Sequence, residues 1–262
     1  MKKTIKSILC LSAGVLLLMT SCKDDKDPSP EAKTLIKSIT NIGEYYSTYA
    51  SFEYDDNGKL LSLKDSSSED GVRFVKMVYD SEGKITSLQD KSGKEIALVE
   101  YSNGKVTKIT EFFIEETWVT TYETNADGYI TKKTDSEDYT RFERDSKNNI
   151  TKAYFKRNSD EAERLDNEYT GFDGKNGALS GLKQIDEIIC HYMWDTMIAR
   201  AFVSQNATTI NDYYRDAIYQ FTYKYNADGY PTEATYVHTE NDQALKSNAT
   251  AKPSLTFEYI KK

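Results

Sequence analysis

A short turn motif recurs along the chain and constrains its fold more than any other feature of the sequence. An Asp or Asn opens the full-length copies, and a Gly, or in one copy an Asn, closes them three residues later. The closing residues are Gly58, Gly83, Gly104 in a shorter copy, Gly128, Asn148 and Gly229. An opening Asp or Asn caps the backbone of such a turn, and the closing residue must take a positive φ, which Gly tolerates best and Asn next. We therefore expect a tight reversal of the chain at every copy.

The residues before each turn alternate between apolar and polar side chains, as Phe52 and Tyr54 do around Glu53. This period of two is typical of antiparallel strands with one buried face. The first five closing residues are 25, 21, 24 and 20 residues apart, which fits two strands and two turns per repeat. Polar return turns are expected between the copies, as at 91–93 and 136–138. The sequence predicts an all-β, up-and-down meander of roughly fourteen strands that curls into an open or closed barrel-like sheet.

Residues 182–203 do not fit the meander. One helical stripe of this segment carries Ile185, Ile188, Ile189, Tyr192, Thr196, Ala199 and Val203. The opposite side is also apolar, with Trp194, Met197 and Ile198. Because a helix that is apolar on all sides needs a buried position, we expect one helical insertion, docked on the concave face of the sheet or inside the barrel mouth.

The first 21 residues have the organisation of a secretory signal peptide. A basic start precedes an apolar run over 8–19, whose twelve residues span only about 18 Å as a helix, less than the ~30 Å hydrocarbon core of a bilayer. The run ends in Leu-Met-Thr-Ser-Cys22, which resembles a bacterial lipobox with Met at the position that usually holds Leu. The resemblance implies cleavage before Cys22, a diacylglycerol on its sulfur and anchoring in the outer membrane.

Lys23, Asp24 and Asp25 come directly after the lipobox and are similar to the export signal of Bacteroidetes surface lipoproteins. The resemblance implies display at the cell surface, although a solvated tether would have the same composition. The predicted domain organisation is a signal peptide at 1–21, a lipidated Cys with an acidic and Pro-containing tether at 22–32, and a single β-meander domain at 33–262.

The charge balance argues against a nucleic-acid partner. The chain has 34 basic and 42 acidic residues, and removal of 1–21 leaves 31 basic residues and a formal net charge of −11. Phosphate backbones are bound by clustered basic surfaces. The expected partners are the lipid anchor and a glycan or protein ligand, with no cofactor.

The repeats also resemble those of two known groups of proteins. The Tyr-Asp-x-x-Gly rhythm is similar to the YD repeats of Rhs-type wall proteins. The lipobox, the acidic tether, the hairpins and the element Ser204-Gln-Asn-Ala-Thr-Thr-Ile210 together resemble a Bacteroidetes lipoprotein family of unknown function. That family is described as having a porin-like fold, which the resemblance implies for this chain. Ala207 departs from the Asn of the family pattern, and no catalytic residue is carried over.

Chemistry-bearing residues are sparse. His191 and His238 are the two histidines, and no spacing typical of a zinc site surrounds either one. We expect His191 to be a hydrogen-bonded core residue and Cys190 a small buried hydrophobe. With Cys22 lipidated and Cys10 removed, Cys190 has no intrachain disulfide partner. No catalytic, metal or cofactor-binding residue is predicted.

The favoured function is a non-enzymatic surface module that binds a glycan, a peptide or a partner protein. Trp118 and Trp194 are its candidate binding aromatics, since exposed aromatic side chains suit recognition. One alternative is a porin-like barrel in the outer membrane, which needs a lipid-facing apolar band. Another is a glycan hydrolase, which needs two carboxylates 5–10 Å apart.

Overall fold

The structure is a computed structural model that describes residues 32–43, 47–69, 71–182, 185–193, 195–240 and 254–262. Residues 32–262 form one compact unit. Cys22 and the tether lie outside the described residues, so the signal peptide, the lipid site, the export signal and the domain boundaries stay predictions. In the described ranges, no helix has the length and apolar character that crossing a membrane requires.

The described ranges contain sixteen antiparallel strands, each paired with its neighbours in the chain. The first eight are β1 Thr34–Ile42, β2 Ser47–Tyr54, β3 Leu60–Ser67, β4 Gly71–Tyr79, β5 Ile85–Gln89, β6 Glu95–Ser102, β7 Lys105–Phe112 and β8 Thr117–Thr124. The others are β9 Ile130–Asp135, β10 Asp138–Arg144, β11 Ile150–Lys156, β12 Arg164–Thr170, β13 Thr209–Asp212, β14 Ala217–Tyr225, β15 Pro231–Glu240 and β16 Ser254–Lys261.

The meander closes on itself because β1 pairs with β16 from Thr34 opposite Lys261 to Ile42 opposite Ser254. The predicted all-β meander is thus confirmed in its closed form, with two strands more than expected. The six copies given above each join an even-numbered strand to the next odd-numbered one, so these six lie at one end of the barrel. We call this the turn end, and the opposite end, where the return turns lie, the mouth. The same turn geometry recurs at the mouth, where Asp90 and Gly93 join β5 to β6.

Asn148 shows how the sequence encodes these turns. Its φ is +64°, in the left-handed region that the glycines of the other copies also occupy, such as Gly83 at +82°. Asp145 opens the turn, and its Oδ1 accepts hydrogen bonds from the backbone N–H groups of Lys147 (2.9 Å) and Asn149 (3.0 Å). The predicted roles of the opening and closing residues are therefore confirmed at this copy.

The two faces of the barrel wall differ in polarity. Most inward side chains are apolar and buried, among them Phe52, Leu63, Leu88, Ile109, Ile130, Phe142, Ile150, Tyr169, Ile210, Phe221, Leu255 and Phe257. The outer face carries five ion pairs between adjacent strands, which are Lys37–Glu258, Glu100–Lys108, Glu123–Lys132, Lys152–Glu168 and Lys224–Glu233. The hydrophobic core therefore lies in the lumen of the barrel.

The segment between β12 and β13 fills that lumen. It enters from the turn end through a 3-10 turn at Ser180–Leu182, continues as α1 (Asp186–His191), reverses near the mouth and returns as α2 (Thr196–Arg200). Most of its described apolar side chains are buried, with Phe202 edge-on to Phe257 of the wall at a centroid distance of 5.3 Å. We call residues 171–208 the plug.

The predicted helical insertion is confirmed, but it is divided into two short helices. A continuous helix over 22 residues would be about 33 Å long, whereas strands of eight residues tilted by ~40° span about 20 Å. The reversal is fixed by Asp195, whose Oδ2 accepts hydrogen bonds from Asn41 Nδ2 (2.8 Å) and Thr48 Oγ1 (3.0 Å). Thr196 Oγ1 donates to the carbonyl of Cys190 (2.9 Å) at the end of α1.

Two buried ion pairs hold the plug. Arg200 on α2 donates from Nε and Nη2 to the carboxylate of Glu187 on α1 (2.7 and 3.0 Å), and both side chains are less than one-tenth exposed. Arg144 on β10 donates from Nη2 to Asp186 Oδ2 (3.1 Å), joining the wall to α1. Burial alone would raise the pKa of Glu187, but the charge and hydrogen bonds of Arg200 bring it down to about 2.

We predict that Glu187→Gln lowers the free energy of unfolding by about 3–5 kcal/mol, because it leaves Arg200 buried without its carboxylate. Glu233→Gln is the matched control, since it removes a carboxylate from the exposed pair with Lys224 and should cost about 1 kcal/mol or less. Urea unfolding at pH 7 measures both changes. Equal losses from the two substitutions would contradict the structural role given to the buried pair.

The same pair predicts a dependence of stability on pH. The pKa of Glu187 is about 2 in the folded protein, against an ordinary value of 4.5. Its stabilising contribution is therefore fully present above pH 4.5 and is lost as the pH falls toward 2. Unfolding free energies measured between pH 5 and pH 2 should fall less steeply in Glu187→Gln than in the wild-type protein. Parallel slopes would contradict this assignment.

Candidate functional site

The end of α1 reaches the mouth of the barrel and contacts the wall through Glu111 on β7. Tyr192 donates its hydroxyl to Glu111 Oε1 (2.8 Å), and His191 Nε2 lies 3.4 Å from Oε2. Burial acts to raise the pKa of Glu111, but the hydrogen bond and charge of His191 and the Tyr192 hydroxyl hold it below the ordinary value. The side chain of His191 is 39 % exposed, so the prediction that it is a core residue is wrong. The reversal after α1 places His191 at the rim of the core instead.

Lys133 brings a second charged group toward the plug. It lies on β9 between its register partners Tyr122 on β8 and Thr140 on β10. Burial and the nearby charge of Arg200 lower the pKa of the Lys133 ammonium, although the carboxylate of Glu187 opposes the shift. The neighbouring Lys132 pairs with Glu123 on the outer face. The two successive lysines thus point to opposite sides of the wall, as strand geometry requires.

His191 and Lys133 share a pocket of about 250 Å³ at the mouth, which we call the mouth pocket. Its other lining residues are Thr120, Asp135, Asp138, Tyr139, Thr140 and Phe155. Asp135 and Asp138 are register partners on either side of the β9–β10 turn. The mouth pocket therefore combines aromatic faces with hydroxyl, carboxylate, ammonium and imidazole groups.

Trp118 lies beside the mouth pocket. It is 45 % exposed, packs against Phe113 at a centroid distance of 5.0 Å, and lines a shallow cavity of about 780 Å³. This cavity shares Asp135 and Asp138 with the mouth pocket. Trp194, the other aromatic predicted to bind, lies outside the described residues. The structure thus gives a setting for one of the two predicted aromatics, next to residues that the sequence did not single out.

Cys190 and the acidic side chains are the other chemistry-bearing groups of the described part of the chain. Cys190 is fully buried, as predicted, and burial raises the pKa of its thiol well above the ordinary value, so the reactive thiolate is disfavoured. The described residues contain no cluster of three or more His, Cys, Asp or Glu side chains with the geometry to hold a metal ion. Asp135 and Asp138 are the carboxylates that the hydrolase hypothesis would use.

Comparison with protein-family models and with curated proteins found no match. Among solved structures, a porin-like protein from Bacteroides uniformis aligns with 88 % of this chain and 98 % of its own, at a TM-score of 0.57 and 13 % sequence identity. A porin-like protein from Bacteroides vulgatus aligns with 87 % of this chain and 99 % of its own, at a TM-score of 0.39 and 10 % sequence identity. The Photorhabdus luminescens Tc holotoxin pore aligns with 78 % of this chain but only 9 % of its own, at a TM-score of 0.35 and 10 % sequence identity.

The first of these structures establishes a shared fold. The chain adopts the barrel architecture of a Bacteroides protein described as porin-like, as the sequence resemblance implied. At this level of identity the similarity concerns the fold alone. Membership of the lipoprotein family and of the YD-repeat proteins stays a prediction from the sequence motifs.

We predict that Lys133 titrates below 10.5, the ordinary lysine value, because burial and Arg200 disfavour its charged form. Reductive ¹³C-methylation followed by NMR titration measures this pKa, with Lys133→Arg identifying the resonance. Glu111→Gln should lower it further, since the Glu111 carboxylate stabilises the ammonium. A midpoint at or above 10.5 would contradict the inward placement of Lys133.

Proposed function

We propose that this protein is a lipid-anchored outer-membrane protein displayed at the cell surface. Its barrel is surrounded by solvent rather than by lipid. The mouth of the barrel binds a ligand without catalysing a reaction. The observation that carries the proposal is the polarity of the barrel wall. A barrel that spans a membrane has an apolar outer band and a polar interior. The cross-strand ion pairs on the outer face and the apolar lumen of this barrel have the opposite arrangement.

The direction of the barrel supports a role for the mouth. The chain enters β1 at Thr34 and leaves β16 at Lys261, and both residues lie at the turn end. A tether from Cys22 would therefore join the barrel at the turn end. The mouth pocket and Trp118 lie at the other end of the barrel, away from the start of β1 and the end of β16.

A glycan is the ligand class that suits the mouth best. Tyr139, Phe155 and Trp118 offer aromatic faces to a sugar ring, and Asp135 and Asp138 offer acceptors for its hydroxyl groups. The mouth pocket, at about 250 Å³, has room for a single sugar unit, and the adjoining cavity extends it along one side.

A membrane-spanning barrel is the second candidate, and the porin-like relative with the same fold favours it. The two candidates differ in what they require of the lumen. A channel needs a continuous water-filled path, whereas Ile188, Ile189 and Phe202 of the plug are buried in the lumen of this barrel.

We predict that residues 23–262, expressed without the signal peptide and without detergent, form a folded protein that stays in solution, because its outer face is charged. Size-exclusion chromatography and circular dichroism measure this outcome. The same protein should produce no conductance in planar bilayers. Aggregation that only detergent reverses, together with discrete channel openings, would favour the membrane-spanning candidate.

We also predict that Trp118→Ala weakens binding of a glycan ligand about tenfold, as the loss of an aromatic anchor commonly does. Tyr49→Ala is the control, since Tyr49 is similarly exposed (43 %) but lies on the outer wall near the start of β2, six strands away from Trp118 on β8. Glycan-array screening followed by titration calorimetry measures both. Equal affinity of the two variants would contradict a site at the mouth.

The same glycans distinguish binding from hydrolysis. Release of reducing ends that disappears in Asp135→Asn or Asp138→Asn would favour the hydrolase alternative over the proposed function. Retention of the intact glycan on the protein supports the binding role.

A further inference from the structure

A second cavity lies at the turn end, on the opposite side of the plug from the mouth. It encloses about 740 Å³, and three lysines line it. Lys33 precedes β1, Lys147 lies in the turn between β10 and β11, and Lys175 belongs to the first part of the plug. Ser180, Gly181, Ser204 and Gln205 line it from the plug. We call it the turn-end cavity.

The charges of this cavity are unusual for an acidic protein. Its lining contains no carboxylate, and within the described ranges none of the three lysines pairs with one. Other lysines near the strand ends do, as Lys261 does with Asp228 and Lys262 with Asp56. Three lysines thus border one cavity whose lining has no carboxylate, an arrangement that attracts a multiply charged anion.

Asp173 is the carboxylate nearest to Lys175 in the sequence, and its Oδ1 accepts a hydrogen bond from the backbone N–H of Lys175 (2.8 Å) rather than from the ammonium. Its Oδ2 accepts hydrogen bonds from Asn206 Nδ2 (3.2 Å) and from the Tyr225 hydroxyl. The ammonium of Lys175 lies 3.6 Å from the centroid of the Tyr225 ring, a cation–π contact that does not neutralise its charge.

The neutral groups of the cavity suit a sugar. Asn148, Asn176 and Gln205 contribute amide groups, and Tyr129 and Tyr230 contribute aromatic faces. Several of these side chains are held in place by the fold. Asn148 accepts a hydrogen bond from Asn125 Nδ2 (2.9 Å), Asn176 Nδ2 donates to the carbonyl of Asp228 (3.2 Å), and Tyr230 packs against Tyr259 at a centroid distance of 5.2 Å.

We propose that the turn-end cavity binds a phosphorylated sugar, with the ammonium groups of Lys33, Lys147 and Lys175 around the phosphate. Lysine binds phosphate as a point charge, and the volume of about 740 Å³ is that of a small-molecule site. The ligand is either a soluble sugar phosphate or the phosphorylated headgroup of a lipid. The site lies opposite the mouth and does not depend on the ligand bound there.

Titration calorimetry on residues 23–262 in phosphate-free buffer tests the proposal, with glucose 6-phosphate as the probe and glucose as its uncharged counterpart. We expect binding of the phosphate ester only. The triple variant Lys33→Gln, Lys147→Gln, Lys175→Gln should weaken it by at least about tenfold. The triple variant Lys64→Gln, Lys76→Gln, Lys91→Gln removes the same charge from exposed positions elsewhere and should bind like the wild-type protein.

Flotation with phosphatidylcholine vesicles, with and without diphosphoryl lipid A, distinguishes the two sources. If the protein floats only with the vesicles that contain lipid A, the ligand is a lipid headgroup. In that case the turn-end triple variant should lose this binding and the control triple variant should keep it. Binding of glucose 6-phosphate without vesicle capture assigns a soluble ligand. Should the triple variant unfold, Lys147→Gln alone, in an exposed turn, replaces it.

Absence of binding by both phosphate probes would overturn the proposal, as would equal weakening in the two triple variants. The outcome is separable from that of the proposed function, because Trp118→Ala should leave binding of glucose 6-phosphate unchanged.

Discussion

The ion pair between Arg144 on the wall and Asp186 on α1 fixes where the plug lies in the barrel, and most other features depend on that position. Both side chains are almost completely removed from water, where an unpaired charge costs several kcal/mol. Burial raises the pKa of Asp186 even with Arg144 beside it, and Asp186 Oδ1 has no hydrogen-bond partner among the described residues. Burying this pair therefore costs free energy. We infer that its role is to select one position of the plug in the barrel.

With the plug in place, the barrel is a packed body with its core inside. Arg200 then lies over the Phe142 ring at 4.8 Å while it pairs with Glu187, so α2 is tied both to α1 and to the wall. The end of α1 forms one side of the mouth pocket, and the start of the plug forms one side of the turn-end cavity. Both candidate binding sites are thus consequences of the same packing arrangement.

Local chemistry made the strands and turns predictable from the sequence. The turn at Asn148 could be assigned because few residues tolerate a positive φ, and the structure has that φ at +64°. The return turn predicted at 91–93 lies between strands as expected, and that predicted at 136–138 extends one residue into β10. Sixteen strands are present rather than roughly fourteen because short strands such as β13, of four residues, carry too little alternation to be counted.

The sites depend on contacts between distant residues, and these were not predictable. Arg144 and Asp186 are 42 residues apart, and nothing in the sequence links them. The alternation along 130–135 shows that Lys132 and Lys133 point to opposite sides, but not that one side is the lumen. The prediction for His191 was wrong because the length of the barrel, rather than the apolar stripe, decides where α1 ends.

Hydrogen–deuterium exchange across the chain tests the filled lumen most directly. We expect the amides of α1 and α2 to exchange as slowly as those of central strands such as β7 and β14, because the plug and the wall form one core. Rapid exchange of α1 and α2 beside protected strands would mean that the plug leaves the barrel readily. That result would contradict a packed lumen and favour an open channel.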